Sequence, residues 1–226
     1  MINYLMAIAI LMALIYLLVE LTQKPIISIF IKALASLSFI ILGMTRLLVG
    51  AFSYPTIVGW FLLGLASGMV GDIILSLRPL RPKEEDKLII VFGIISFSIG
   101  HIFYLLGLLT IDHFHPMSLL VGLLVMSIVI MMSYVMNFRM GIARIPSYLY
   151  AFLIFLMIGQ TIFLGVQYSM AFPFPLIVLG ALLFGISDLI LAPIYYANMN
   201  SKLMIALNLI TYYGAQILIA TSIFYL

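Results

Sequence analysis

The chain has 226 residues, of which 66% are hydrophobic and only 8% are charged, and its formal net charge is +3. Soluble domains carry about 25% charged residues, so this composition excludes a soluble globular protein, and the small net charge gives no reason to expect a nucleic-acid partner. The absence of cysteine excludes disulfides and thiolate chemistry. We therefore expect a multi-pass integral membrane protein with a single membrane domain over residues 1–226.

Short polar or turn-forming stretches divide the chain into eight apolar segments, each near the length of about 20 residues that a transmembrane helix needs. The first segment has neither a basic region nor a small-residue cleavage site, so we interpret it as a span and not as a removed signal peptide. Because a lipid-exposed backbone must satisfy its own hydrogen bonds, we expect an all-α helical bundle. The predicted spans are 2–19, 26–45, 57–77, 88–109, 117–136, 146–165, 174–196 and 203–225.

The lysines and arginines lie almost entirely on one side of this predicted topology. The connections on the opposite side hold only Arg46. Cytoplasmic loops are enriched in Lys and Arg, so we expect a cell-membrane protein with both termini outside the cytoplasm. The residues on the predicted cytoplasmic side are Lys24, Arg78, Arg81, Lys83, Lys87, Arg139, Arg144 and Lys202.

Two aspartates lie inside apolar spans in similar surroundings. Asp72 lies in "LLGLASGMVGDIILSL" and Asp188 lies in "VLGALLFGISDLILAP", and five positions are identical when the aspartates are aligned. The alignment places span 3 on span 7 in the same orientation, which indicates a duplication into two parallel halves of four spans. Chance similarity between helices rich in Gly and Leu is the alternative.

Ionisable residues within spans are rare and usually face the protein interior; here they are Lys32, Asp72, His101 and Asp188. At a rise of ~1.5 Å per residue, Lys32 and Asp72 lie roughly 9 Å and 8 Å from the basic ends of their spans, and Asp188 roughly 12 Å. His101 lies roughly 20 Å deep. We expect the lysine and both aspartates to meet in one layer. The alternatives are a structural ion pair and, for His101, a hydrogen-bonded packing residue.

Polar and small residues recur on single helix faces near these groups, because residues four apart share a face. Together they predict one internal polar cavity. The alternative is ordinary helix packing and aromatic fill. The residues are Gly64, Gly68, Asp72 and Ser76 on span 3, Phe97, His101 and Tyr104 on span 4, and Asn208, Tyr212, Tyr213 and Gln216 on span 8.

No residue pattern predicts a metal or a cofactor. His113 and His115 lie beside Asp112 in the connection after span 4, but their spacing is not that of a zinc site. The chain has no serine nucleophile elbow, phosphate loop or nucleotide fingerprint.

Several motifs in order resemble the YhhN family, whose vertebrate members are lysoplasmalogenases. They are "GDIILSL" after a Gly-rich half-helix, "GHIFYLLGL" in the next span and "GALLFGISDLILA" in span 7, with Lys32 early in span 2. The resemblance implies hydrolysis of the vinyl-ether bond of a lysoplasmalogen to a fatty aldehyde and a glycerophospho-ethanolamine or -choline. The site residues that it implies are Lys32, Asp72, His101, Tyr104 and Asp188, with Tyr212 and Tyr213 matching less closely.

The chemistry of that reaction suits two carboxyl groups. A vinyl ether resists base but yields to acid, because a proton on its β-carbon leaves an oxocarbenium ion that water captures. The task resembles glycoside hydrolysis, in which one carboxyl group donates a proton and another stabilises the cation. We expect Asp72 and Asp188 to divide these roles, with Lys32 beside the ionised one. His101 or a tyrosine would position water or the lyso-lipid, which enters from the bilayer.

Two other classes of membrane protein remain open: a proton-coupled transporter of small molecules or lipids, and a non-catalytic lipid-binding or sensory protein. A carrier is expected to have broken helices at mid-membrane and a route to both faces. Span 3 has no proline and span 7 has Pro193 only near its end, which favours the enzyme.

Overall fold

A computed structural model describes residues 1–22, 25–49 and 55–226. Over these residues the chain forms eight α-helices, each long and apolar enough to cross a membrane, which confirms the predicted all-α bundle. The helix boundaries differ from the predicted spans by a few residues. The helices are α1 (Ile2–Leu21), α2 (Pro25–Val49), α3 (Pro55–Ser76), α4 (Asp86–Leu109), α5 (Met117–Val135), α6 (Arg144–Gln167), α7 (Phe174–Tyr196) and α8 (Lys202–Tyr225).

Large apolar side chains cover the outside of the bundle. Tyr4 and Val135, for example, are 79% and 74% exposed. Such a surface is unfavourable in water but suits contact with lipid tails. In that environment each helix must satisfy its backbone hydrogen bonds internally. The ionisable side chains inside the spans are instead buried or partly buried, and they form the site: these are Lys32, Asp72, His101 and Asp188.

The helix packing has an internal regularity. Consecutive helices pack as pairs, α1 with α2, α3 with α4, α5 with α6 and α7 with α8. Across the pairs, α2 contacts α3 and α8, and α6 contacts α7 and α4. Replacing each helix by the one four positions away reproduces these contacts, a pattern that two parallel halves of four helices would produce. The regularity is partial, because α8 also packs against α1 and α3, and α4 makes no comparable contact with α5 or α7 among the described residues.

Several charged residues that were predicted in connections lie in helices. Arg46 was expected in the connection after span 2, but α2 continues to Val49 and places Arg46 in its last turn. A cation at this position interacts favourably with the free carbonyl groups of the helix C-terminus. Lys24 lies outside the described residues. Lys87, Arg144 and Lys202 lie in the first turns of their helices instead of in loops.

The connections 77–85, 136–143 and 197–201 join α3 to α4, α5 to α6 and α7 to α8 at one end of the bundle, which we call the basic end. Arg78 forms a bidentate pair with Asp86, with nitrogen–oxygen distances of 2.7 and 3.1 Å. Its guanidinium carbon lies 3.9 Å from the ring centroid of Tyr195, and Lys87 donates to the backbone carbonyl of Tyr195. The ends of α3, α4 and α7 are thereby held together.

Candidate active site

The Asp72 side chain is the centre of a buried polar cluster formed by α2, α3 and α8. Lys32 Nζ lies 3.2 Å from Asp72 Oδ1. Ser36 and Tyr212 each donate a hydroxyl hydrogen bond of 2.7 Å to Asp72 Oδ2. Lys32 and Asp72 are only 9% and 2% exposed. With one cation and two hydroxyl donors around it, the site is built to hold the ionised carboxylate.

A chain of hydrogen bonds extends this cluster to α4. Gln216 donates to the Tyr212 hydroxyl at 3.1 Å and accepts from the Tyr104 hydroxyl at 3.3 Å. Small residues on α3 make room for these side chains. A Cβ added at Gly64 would lie 2.3 Å from the Tyr104 ring, and one at Gly68 would lie 2.8 Å from the Gln216 amide nitrogen. The small-residue face of α3 therefore accommodates the network as well as helix packing.

Asp188 has different surroundings. It is partly buried on α7, and its Oδ2 atom is enclosed without a hydrogen-bond partner among the residues that the structure describes. The Tyr150 side chain of α6 interacts with the Asp188 carboxyl group. Over the same described residues, no lysine or arginine forms an ion pair with Asp188, in contrast to Asp72.

His101 lies in an aromatic enclosure on α4. Its Nδ1 atom is 2.9 Å from the backbone carbonyl oxygen of Phe97, which requires Nδ1 to be the donor. The ring meets Phe184 edge to face, with centroids 4.6 Å apart, and lies 5.7 and 6.0 Å from the rings of Tyr150 and Tyr104. His101 therefore lies behind the aromatic side chains of the site, and packing against their rings fixes its orientation.

Asn208 and Tyr213 on α8 lie beside the cluster and not in it. Asn208 donates to both the backbone carbonyl and the hydroxyl of Ser187 at 2.9 Å, which joins α8 to α7 next to Asp188. The Tyr213 ring packs edge to face against Tyr212 and Tyr16, with centroids 5.1 and 5.6 Å away. Both side chains support the positions of groups that face the site.

Asp72 and Asp188 face one apolar cavity of about 120 Å³ in the interior of the bundle. The walls come from α2 to α8, and the polar groups among them are few. In apolar surroundings, the protonation state of a carboxyl group is determined by the groups immediately next to it. The polar or charged lining residues are Lys32, Asp72, Ser147, Tyr150, Ser187, Asp188, Tyr195, Tyr196, Asn208 and Tyr212.

A second and more polar cavity of about 540 Å³ lies toward the basic end, and we call it the basic-end cleft. It shares wall residues with the apolar cavity, among them Lys32, Tyr195 and Asn208. Its other walls carry ionisable groups from four helix ends. These are Glu20 of α1, Arg78 just after α3, Asp86 of α4 and Lys202 of α8.

Ser36, Tyr150 and Glu20 are among the residues of this region that sequence reasoning missed. Ser36 follows Lys32 by one helical turn, so the same periodicity that placed Lys32 inside would have found it. Tyr150 carried no signal, because tyrosine is common in apolar spans. Glu20 was assigned to the break between spans 1 and 2, although α1 extends to Leu21 and includes it.

The connection after α4 shows no sign of a metal site, and the described residues include no group of three metal-binding side chains. The backbone N–H of His113 donates to Asp112 Oδ1 at 2.7 Å and keeps the pKa of this exposed carboxyl below its usual value. Gln160 of α6 accepts from the backbone N–H of His115 at 2.9 Å and donates to the carbonyl of His113 at 3.1 Å. These contacts fasten the connection to α6.

The sequence matches the model of the YhhN family over residues 27–223. The chain belongs to the YhhN family. The matched range includes the whole Asp72 cluster and Asp188, but not Glu20. The resemblance drawn from the three motifs is thereby confirmed. No curated protein and no solved structure gave a match.

Proposed function

We propose that this YhhN protein is a membrane-embedded hydrolase that cleaves the vinyl-ether bond of lysoplasmalogen-type lyso-lipids. The observation that carries the proposal is the contrast between two carboxyl groups on one apolar cavity. Asp72 has a cation and two hydroxyl donors around it, whereas Asp188 has a buried oxygen without a partner among the described residues. Acid hydrolysis of a vinyl ether needs a proton donor, and a fixed negative charge nearby accelerates it by stabilising the oxocarbenium ion.

Asp188 is the proton donor in this proposal. An ionised carboxylate is costly in apolar surroundings unless a cation or several donors compensate its charge. The enclosed Oδ2 atom of Asp188 lacks such compensation among the described residues, so the neutral carboxylic acid fits the site. It would transfer its proton to the β-carbon of the vinyl ether, and the carbon next to oxygen would become an oxocarbenium ion.

Asp72 is the stabilising anion. Its negative charge is present before the reaction, and its position is fixed by Lys32, Ser36 and Tyr212. A charge that is already oriented stabilises a developing cation without reorganisation, which is a large source of catalysis in sites with little water.

Water completes the reaction. Its oxygen adds to the oxocarbenium carbon while one of its protons passes to the Asp188 carboxylate, which regenerates the acid. The resulting hemiacetal then collapses: its bond to the glycerol oxygen breaks, its hydroxyl proton passes to that oxygen, and the products are a fatty aldehyde and a glycerophospho-alcohol. Tyr150 interacts with the Asp188 carboxyl group and is placed to orient it.

The shapes of α3 and α7 favour the enzyme over a proton-coupled carrier. Both helices are continuous over Pro55–Ser76 and Phe174–Tyr196, and Pro193 lies in the last turn of α7. Carriers with substrate sites at mid-membrane use helices that are broken there.

The decisive test uses purified protein in lipid nanodiscs. The protein is incubated in D₂O with a 1-alkenyl lyso-phosphoethanolamine, and the product is reduced at once to stop exchange. We expect a fatty aldehyde with one deuterium on the carbon next to the carbonyl. The saturated alkyl ether and the acyl ester of the same headgroup serve as controls and should not be cleaved. Release of fatty acid from the ester, or no aldehyde from the alkenyl lipid, would contradict the proposal.

A further inference from the structure

The basic-end cleft adjoins the apolar cavity, and Lys32, Tyr195 and Asn208 line both. A molecule whose reactive bond lies between Asp72 and Asp188 would therefore extend its polar end into the cleft. The size of the cleft, about 540 Å³, exceeds that of the apolar cavity several-fold. The cleft is therefore the part of the site that would bind a headgroup, and its ionisable groups determine which kind of headgroup fits.

Arg78 contributes unused hydrogen-bond donors to this cleft. A guanidinium carries five N–H groups in a planar fork. The bonds to Asp86 use the Nε and one Nη2 hydrogen, and a hydrogen bond to the Tyr195 side chain uses one more, which leaves two. Stacking on Tyr195 and pairing with Asp86 fix the orientation of the group. A fixed guanidinium with free donors suits an oxyanion such as a phosphate.

Lys202 adds a second positive charge. It lies in the first turn of α8 and is exposed. Among the described residues it forms no ion pair, whereas Lys32 and Lys87 both do. Its charge is available to a phosphate in the cleft.

Glu20 supplies the opposite charge. Its Oε2 atom accepts hydrogen bonds from the hydroxyl groups of Tyr16, at 3.2 Å, and Ser28. These neutral donors orient the carboxylate without cancelling its charge, and no ion pair to Glu20 occurs among the described residues. A carboxylate held in this way suits an ammonium group.

We propose that the basic-end cleft binds a headgroup that carries both a phosphate and an amine. The phosphate lies at Arg78 and Lys202, and Glu20 distinguishes amine-bearing from amine-free headgroups. Complementary charges of both signs on the two sides of a cleft give selectivity more than raw affinity. The identity of the ligand as a lyso-lipid rests on the proposed function.

Binding of non-hydrolysable lipids tests the cleft separately from catalysis. The probes are saturated 1-alkyl lyso-lipids with a phosphoethanolamine, a bare phosphate or no headgroup, titrated by calorimetry into protein in nanodiscs. The variants are Glu20→Gln, which retains an oxygen to accept from both hydroxyl groups, and Lys202→Gln. Lys83→Gln and Glu84→Gln are matched controls, since both residues are exposed and lie outside the cleft.

We expect Glu20→Gln to weaken binding of the phosphoethanolamine lipid by roughly 10-fold, as for the loss of a charged hydrogen-bond partner. Binding of the bare-phosphate lipid should not change. Lys202→Gln should weaken binding of both phosphate lipids by roughly 3-fold, and less at high salt, because the group is exposed. The lipid without a headgroup should bind all variants alike.

An equal effect of Glu20→Gln on both phosphate lipids, or effects no larger than those of the controls, would overturn the assignment. If the expected pattern occurs without any aldehyde formation from alkenyl lipids, the headgroup site stands and the hydrolase proposal fails. If aldehyde forms but the variants bind every probe like the unaltered protein, the hydrolase stands and the headgroup site fails.

Discussion

The Asp72 carboxylate has a lysine and two hydroxyl groups within hydrogen-bonding distance, whereas Asp188 has an aromatic neighbour and an oxygen without a partner among the described residues. The same side chain thus occupies two electrostatic environments on one cavity. Substitution of the two residues should therefore give the same loss of catalysis but different changes in stability.

Asp72→Asn and Asp188→Asn should each reduce aldehyde formation by roughly 10²–10⁴-fold, the usual contribution of a general acid or base. The double variant should be little slower than either single one, because groups that act as a unit are not additive. Asp72→Asn leaves Lys32 buried without its partner and should lower the free energy of unfolding by about 3–5 kcal/mol. Asp188→Asn replaces an uncompensated carboxyl with an amide and should change stability little.

The checks are product formation and thermal unfolding of the same detergent-solubilised samples. Substantial turnover by either variant would rule out the two-carboxylate mechanism. Equal destabilisation by both substitutions would mean that Asp188 also interacts with a charge.

Tyr212→Phe should lower kcat while leaving the ring packing in place. The substitution removes one of the two hydroxyl donors to Asp72 Oδ2, and a hydrogen bond to a charged group is worth about 1.5–3 kcal/mol. Tyr148→Phe is the matched control, because the Tyr148 hydroxyl pairs with Ser133 at 2.6 Å, away from the cavity. Similar kcat values for the two variants would show that Tyr212 acts only as aromatic fill.

The helix period predicted part of this site from the sequence. Lys32 and Asp72 were predicted to lie in one layer, and their side chains form an ion pair. The different neighbours of Asp188 could not be predicted, because they depend on which face of α6 meets α7. That contact places Tyr150 beside Asp188, and no local pattern encodes it.

At the scale of the helix, α3 combines an apolar outer face with a face of small residues that receives side chains from α4 and α8. Gly64 receives the Tyr104 ring and Gly68 receives the Gln216 amide. The close approach of α3 to its neighbours is therefore set by two specific side chains and not only by backbone contact.

Gly64→Ala should destabilise the protein by about 1–3 kcal/mol, because the added methyl group would overlap the Tyr104 ring. It should also lower activity, since Tyr104 is hydrogen-bonded through Gln216 to Tyr212. Gly59→Ala on the same helix has no atom within 4 Å of the added Cβ. This control should be neutral or stabilise α3 by up to about 1 kcal/mol through helix propensity. Equal unfolding temperatures of the two variants would contradict the steric explanation.

Helix ends were less predictable than helix existence. Glu20 and Arg46 were both assigned to connections, yet each lies in the last turn of its helix. A charged residue near a membrane surface stays hydrated whether or not the backbone around it is helical, so composition does not mark the boundary. This uncertainty hid Glu20 from the list of candidate binding residues.

For the whole molecule, the basic end determines the expected orientation in the membrane. Its connections and adjoining helix turns hold Arg78, Arg81, Lys83, Lys87, Arg139, Arg144 and Lys202. We expect this end in the cytoplasm and both termini outside. A reporter that is active only outside the cytoplasm should work when fused after Leu226 and fail when inserted at Glu84. The reverse pattern would overturn the orientation.

The small volume of the apolar cavity has a consequence for the lipid chain. At about 120 Å³ the cavity is close in size to the engineered protein cavities of about 150 Å³ that hold one benzene molecule. It can surround a vinyl ether and a short adjoining segment, so most of a long alkenyl chain must remain in the bilayer. In a pocket that encloses its ligand, each missing methylene costs about 1–3 kcal/mol of discrimination. Here kcat/KM measured at equal membrane mole fraction should be nearly the same for substrates with short and long alkenyl chains. The enzyme would then select its substrates by bond type and not by tail length.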